Sequence, residues 1–171
     1  MRSAAGRLLG SMGPIARTGL ELAFVAALVT LAAIDVERRL LPNTIVYPLA
    51  ILGIVATLPL GGGVLVEHLV AGAGAFVFLL VPAIAYPEGL GMGDVKLAGA
   101  MGLYLGFAVV PALLVAFVSG TLAGAAIVLR DGVAARKRAL PFGVFLALGG
   151  LTGVVAGPEL IRLYHDAFLA A

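Results

Sequence analysis

Gly89-Leu90-Gly91-Met92-Gly93-Asp94-Val95-Lys96 sets one carboxylate at the head of an apolar segment, behind a glycine-rich turn. What that carboxylate costs depends on the solvent around the segment, because hydrocarbon cannot hydrate a charge. The composition decides which solvent it is. Of the 171 residues, 62% are hydrophobic and 12% charged, and the mean hydropathy is +1.16. A soluble domain carries roughly 25% charged residues, so this chain has too little polar surface to cover a core of its size. The composition predicts an all-α, polytopic integral membrane helix bundle, with the lipid bilayer as its surroundings.

Working outward from the turn, residues 93–107 read as a short span and residues 108–129 as the next, with no charge dividing them and Pro111 suited to a first helical turn. Before the turn, residues 64–86 form a span with Glu67 and His68 near its start and Pro82 as a kink point. Residues 44–60 form another, closed by the turn Gly61-Gly62-Gly63. The first apolar run, residues 19–36, is about one bilayer thickness of helix, with Glu21 near its start and Asp35 near its end. In the polar link Glu37-Arg38-Arg39-Leu40-Leu41-Pro42-Asn43, Pro42 disfavours helix at Leu41, and Asn43 or Thr44 suits a helix cap. Residues 141–157 complete a set of six spans, with five or seven as the nearest alternatives.

The domain division that follows is an interfacial or disordered N-terminal tail at 1–18, a transmembrane domain at 19–157 and a C-terminal tail at 158–171. The tail and first run also fit a secretory signal, with Leu31-Ala32-Ala33 as a weak cleavage site, but an unbroken run into Asp35 fits an anchored helix better. Small residues recur at four-residue spacing in Gly102 and Gly106, in Ala116, Gly120 and Gly124, and in Gly149 and Gly153. That spacing allows close helix contact, although a chain this rich in Ala and Gly also produces it by chance.

Six spans put the linkers after spans one, three and five on one side, with Arg38, Arg39, Lys96, Arg130 and Arg136-Lys137-Arg138. The other side has Arg2, Arg7, Arg17 and Arg162, so the positive-inside rule places the three linkers in the cytoplasm. Several chemistries are disfavoured. There is no cysteine, hence no disulfide or thiolate site. His68 and His165 are too far apart to suggest a metal centre, and neither a metal nor a cofactor is expected. No dense basic run interleaves with aromatics, so no nucleic-acid partner is expected. Ser3, Ser11 and Ser119 lack an adjacent base, and Met92 and Met101 read as packing.

Parity supplies Asp94 with a partner. Asp35 lies at the exit of span one and Asp94 at the entry of span four, so two crossings return the chain to the same membrane face. Two carboxylates at one depth suit acid–base hydrolysis of an amide: one takes a proton from water while the other, protonated, polarises the scissile carbonyl. They share one proton because close carboxylates resist ionising together. The helix termini further predict Asp94, at an N-terminus with Lys96 nearby, as the readier base, and Asp35, near a C-terminus, as the proton holder. Gly91 and Gly93 can take positive φ and let a substrate backbone approach in strand-like fashion.

The segment Gly91-Met92-Gly93-Asp94-Val95-Lys96-Leu97 resembles the GxGD motif of the type IV prepilin peptidases, aspartic endopeptidases that trim pilin-like precursors. Asp35 with Arg38, Arg39 and Leu40-Leu41-Pro42-Asn43 resembles the segment holding that family's first catalytic aspartate. Pro141-Phe142-Gly143 with Phe145-Leu146-Ala147-Leu148-Gly149 is similar to its last helix. The resemblance implies a multi-pass inner-membrane enzyme with a cytoplasm-facing site, Asp35 and Asp94 as the catalytic pair, and Gly91, Gly93 and Lys96 in the site loop. The implied substrate is the leader of a prepilin or pseudopilin precursor, cut after a glycine just before its hydrophobic helix. Larger members add an N-terminal extension with paired cysteines and an N-methyltransferase activity. This chain shows neither, so it is similar to the minimal peptidase-only branch found with Flp pili and archaeal-type filaments, and no methyltransferase activity is expected. The main alternative is a small transporter or channel component using both aspartates as a proton or cation relay, which would call for carboxylates at mid-membrane. A non-catalytic pilus assembly component is the third reading.

Overall fold

A computed structural model describes residues 14–85, 90–132 and 141–168. Among the described residues there are six α-helices and no strand: α1 Pro14–Arg38, α2 Asn43–Thr57, α3 Gly62–Ala85, α4 Met92–Leu105, α5 Val109–Asp131 and α6 Phe142–Phe168. The chain is a multi-pass membrane bundle. Thr18–Arg38, Asn43–Leu60, Gly62–Ala85 and the continuous stretch Met92–Asp131 are long and apolar enough to cross a bilayer, and Phe142–Gly157 is a shorter apolar helix. Large apolar side chains such as Leu22, Ile84, Leu114, Leu122 and Val155 face outward, as helices in hydrocarbon require.

The bundle is built around α4, which packs against α2, α3 and α6, while α1 lies on α6 and α2, and α5 lies on α6. α4 buries Asp94, Val95 and all of residues 97–102. Small side chains make this central position workable. A Cβ built on Gly102 would fall 2.7 Å from the Ala71 carbonyl oxygen and 2.7 Å from the Gly72 Cα on α3. One on Gly149 would collide with the Ala112 carbonyl oxygen on α5. The four-residue glycine spacing at these positions is therefore a packing requirement, not a by-product of composition. At Gly120 the nearest atoms stand at an ordinary 3.5 Å, and there the spacing carries no such demand.

Several boundaries differ from those expected. α1 starts at Pro14, five residues ahead of the apolar run, with proline in the first-turn place where its missing N–H costs nothing. α6 continues through Pro158 to Phe168, so residues 158–168 extend the sixth helix instead of forming a separate piece. α4 and α5 are divided by a 3-10 turn at Gly106–Ala108, where Gly106 takes φ +60°. Pro42, not Asn43 or Thr44, is the N-cap of α2, and it has extended backbone and no side-chain cap. Met92 is half exposed, whereas Met101 is buried as expected. Arg2, Arg7, the turn Pro87-Glu88-Gly89 and the basic run Arg136-Lys137-Arg138 lie outside the described residues.

α1 ends with Arg39 at φ +52°, the one left-handed non-glycine among the described residues, its N–H donating to the Asp35 carbonyl at 2.9 Å. A side chain in that region costs roughly 1–2 kcal/mol, and glycine is the usual residue at this place after a helix. Arg39→Gly is therefore expected to raise the thermal midpoint of the detergent-solubilised protein, by up to about 1 kcal/mol of stability, and Arg39→Val to lower it. A midpoint for Arg39→Gly below wild type would contradict this account of the helix end.

Candidate active site

Asp94 is the third residue of α4, where an acidic side chain reaches back over the first turn. Its Oδ2 accepts from the Gly91 N–H at 3.1 Å, and its own N–H donates to the Gly91 carbonyl at 3.0 Å. Gly91 is the N-cap, with φ −78° and ψ 150°, and Gly93 lies within the helix. Neither uses the positive φ open to glycine; among the described residues the positive-φ glycines are Gly61, Gly106 and Gly132. Their lack of a side chain matters for space instead. A Cβ on Gly91 would stand 3.3 Å from Asp94 Oδ2, and one on Gly93 would stand 2.9 Å from Leu41 Cβ.

Asp35 lies one turn before the end of α1 and is buried, as is Asp94. Its carboxylate meets the backbone N–H groups of Gly143 and Val144 in the first turn of α6. The two aspartates lie around one side chain, Leu41, which faces both Gly143 beside Asp35 and Gly93 beside Asp94, and the charge of Asp35 is felt at Asp94. One oxygen of each, Asp35 Oδ2 and Asp94 Oδ1, is shut off from solvent without a hydrogen-bond partner among the described residues. Leaving a carboxylate oxygen dry and unbonded costs several kcal/mol. Two such oxygens in one place mark groups kept for something other than stability.

The expected division of labour by helix dipoles does not hold. Asp35 sits at the C-terminal end of its own helix but also at the N-terminus of α6, and Asp94 sits at the N-terminus of α4. Both carboxylates thus face the positive end of a helix, and helix ends do not tell them apart. Lys96 does not assist either. Two residues along a helix is about 200° around it, and Lys96 turns to α2, where Nζ donates to Asn43 Oδ1 at 3.1 Å and stands 5.4 Å from the Tyr47 ring centroid. The structure thus gathers Asp35, Asp94, Gly91 and Gly93, and turns Lys96 away from them toward α2.

Three contributors were not assigned to the site from the sequence. Gly143 abuts Asp35, Leu41 lies between the starts of α4 and α6, and Asn43 holds Lys96. Leu41 and Asn43 have a signal in their place in the link after Asp35, and Gly143 has one in the Pro141-Phe142-Gly143 segment of the last helix. At the far end of α4, His68 Nδ1 pairs with the Leu103 carbonyl at 2.9 Å, a structural contact between α3 and α4. Among the described residues no group of three or more His, Asp or Glu side chains converges to hold a metal.

A family model described as the type IV leader peptidase family matches residues 22–129. The chain is 33% identical over 149 residues to the prepilin leader peptidase/N-methyltransferase of Aeromonas hydrophila, covering 83% of this chain and 51% of that protein. It is 32% identical over 161 residues to that of Burkholderia pseudomallei, covering 91% and 52%. It is 30% identical over 156 residues to that of Pseudomonas aeruginosa, covering 86% and 53%. The chain spans about half the length of these curated relatives. No solved structure gives a significant match.

Proposed function

This chain belongs to the type IV leader peptidase family, and on that premise we propose that it is an aspartic endopeptidase of the inner membrane. Its substrate would be a prepilin-like precursor of the Flp or pseudopilin class, cut at the cytoplasmic face. The observation that carries this reading is the pair of buried aspartates, each with one oxygen unpartnered among the described residues, and with the charge of Asp35 felt at Asp94.

In this reading the pair holds a single proton. The ionised carboxylate takes a proton from a water molecule as the water oxygen bonds to the scissile carbonyl carbon. The protonated carboxyl gives its proton to the carbonyl oxygen, so a neutral gem-diol forms and the pair again holds one proton. Collapse of the diol re-forms the carbonyl, breaks the C–N bond and delivers a proton to the leaving nitrogen. Water and the two carboxyl groups balance every step. Gly91, the N-cap of α4, carries no side chain ahead of Asp94, which lets an extended substrate backbone lie against the start of the helix. Lys96, anchored by Asn43, borders that approach on the α2 side. Asp35 lies in the last turns of α1 and Asp94 in the first turn of α4, positions that suit a bond at the membrane face better than a relay at mid-membrane.

The test uses the full chain in phospholipid vesicles with a pilin-like precursor, a short leader ahead of a hydrophobic helix. Mass spectrometry is expected to show one new N-terminus at the head of that helix. An intact precursor beside a folded chain would overturn the proposal.

A further inference from the structure

We infer that the first turn of α6 is a third part of the active site and that Gly143 is the positioning residue for Asp35, an inference that rests on the peptidase reading above. α6 lies beyond residues 22–129, and no role for it follows from the two aspartates alone. Asp35 is 5% exposed, and its Oδ2 finds no hydrogen-bond partner among the described residues. That oxygen is aimed at Gly143: a Cβ built there would stand 2.8 Å from Oδ2 and 3.1 Å from Cγ. Real Cβ atoms essentially never come so close. The bare backbone lets the carboxylate lie against the N–H groups of Gly143 and Val144, donors that no intrahelical carbonyl uses.

Leu41 makes the arrangement a three-way joint. The same Cβ on Gly143 would be 3.1 Å from Leu41 Cδ2, and a Cβ on Gly93 would be 2.9 Å from Leu41 Cβ. One buried leucine thus spaces the start of α4, which carries Asp94, from the start of α6, which abuts Asp35. The symmetry is chemical as well as spatial. Each aspartate lies against a glycine at a helix N-terminus, Asp94 against Gly91 and Asp35 against Gly143. α6 therefore fixes where the Asp35 carboxylate lies at the end of α1.

Gly143→Ala is expected to lower kcat for precursor cleavage about a hundredfold, the scale of a misplacement near 1 Å, with KM unchanged. Adding Leu41→Ala relieves the contact with leucine but not the one with Asp35, and is expected not to restore kcat. Gly120→Ala, where the nearest ring atoms of Phe142 and Phe145 stand at 3.5 Å, serves as the control with unchanged kcat. Thermal midpoints provide a reading independent of catalysis: the loss from Gly143→Ala is expected to shrink in an Asp35→Ala background, because the clash is then gone. If Gly143→Ala fails to fold, recovery of folding in Asp35→Ala supports the contact, and no recovery overturns it. Wild-type kcat in Gly143→Ala, or rescue by Leu41→Ala, overturns the inference while Asp35→Asn still abolishes cleavage. Cleavage that survives Asp35→Asn defeats the peptidase reading instead, and the midpoint comparison then reports on the contact alone.

Discussion

Asp94→Asn is expected to reduce precursor cleavage by about three orders of magnitude while the bundle stays folded. The two consequences separate because Asn keeps the shape of Asp and loses its proton chemistry. An amide oxygen at the place of Oδ2 still accepts from the Gly91 N–H, so the first turn of α4 remains capped. The mutual action of two buried carboxylates disappears, so the thermal midpoint is expected to be unchanged or higher. What is lost is one of the two groups that pass a proton between water and the leaving nitrogen. Asp35→Asn is expected to behave alike, and the double variant to lose no more than either single one, because residues acting as a unit are not additive. Cleavage by either variant at more than a tenth of the wild-type rate, with the fold intact, would falsify the assignment of the pair.

Much of this arrangement was legible in the sequence, and the reason is the bilayer. Apolar runs of fixed length give the number of crossings, and the crossings fix which chain ends share a face. That logic sets Asp35 and Asp94 at one membrane face across two intervening helices with no knowledge of packing. It failed where packing, not length, decides. In sequence Asp35 belongs to α1 alone, and nothing local to it names its neighbour in the first turn of α6, more than a hundred residues away. Lys96 is close to Asp94 in the chain, yet helical geometry turns the two apart. A glycine in a turn suggests an unusual φ, yet Gly91 and Gly93 are ordinary in backbone angle and matter for the space they leave. Spacing alone does not tell a crossing glycine from an idle one: Gly149 and Gly120 fit the same pattern, and one of them is indispensable to a crossing.

Gly102→Ala is expected to destabilise the protein by about 3 kcal/mol, the upper end of the usual overpacking range, through a single methyl group. The atoms that methyl would meet are the Ala71 carbonyl oxygen, the Gly72 Cα and the Ala71 carbonyl carbon, all within 2.8 Å and all backbone. No rotamer change makes room against backbone, so α3 must move off α4. α3 itself holds the comparisons. At Gly72 a Cβ would meet the Leu103 side chain at 2.7 Å, which has torsions to yield, so Gly72→Ala is expected to cost less, about 1 kcal/mol. At Gly74 nothing lies within 4 Å, and alanine there is expected to gain up to about 1 kcal/mol as the better helix former. The order of midpoints in detergent should therefore be Gly74→Ala, wild type, Gly72→Ala, Gly102→Ala from high to low. Propensity alone would make all three alanines stabilising, so a raised midpoint for Gly102→Ala would show that α3 does not lie against α4 at this distance. The same shift also has a catalytic reading. α4 carries Asp94, and it is held from α2, α3 and α6 at once. Loosening its contact with α3 frees the helix that sets one carboxylate against the other, so cleavage is expected to fall in the same order as stability, although Gly102 lies more than two turns from Asp94.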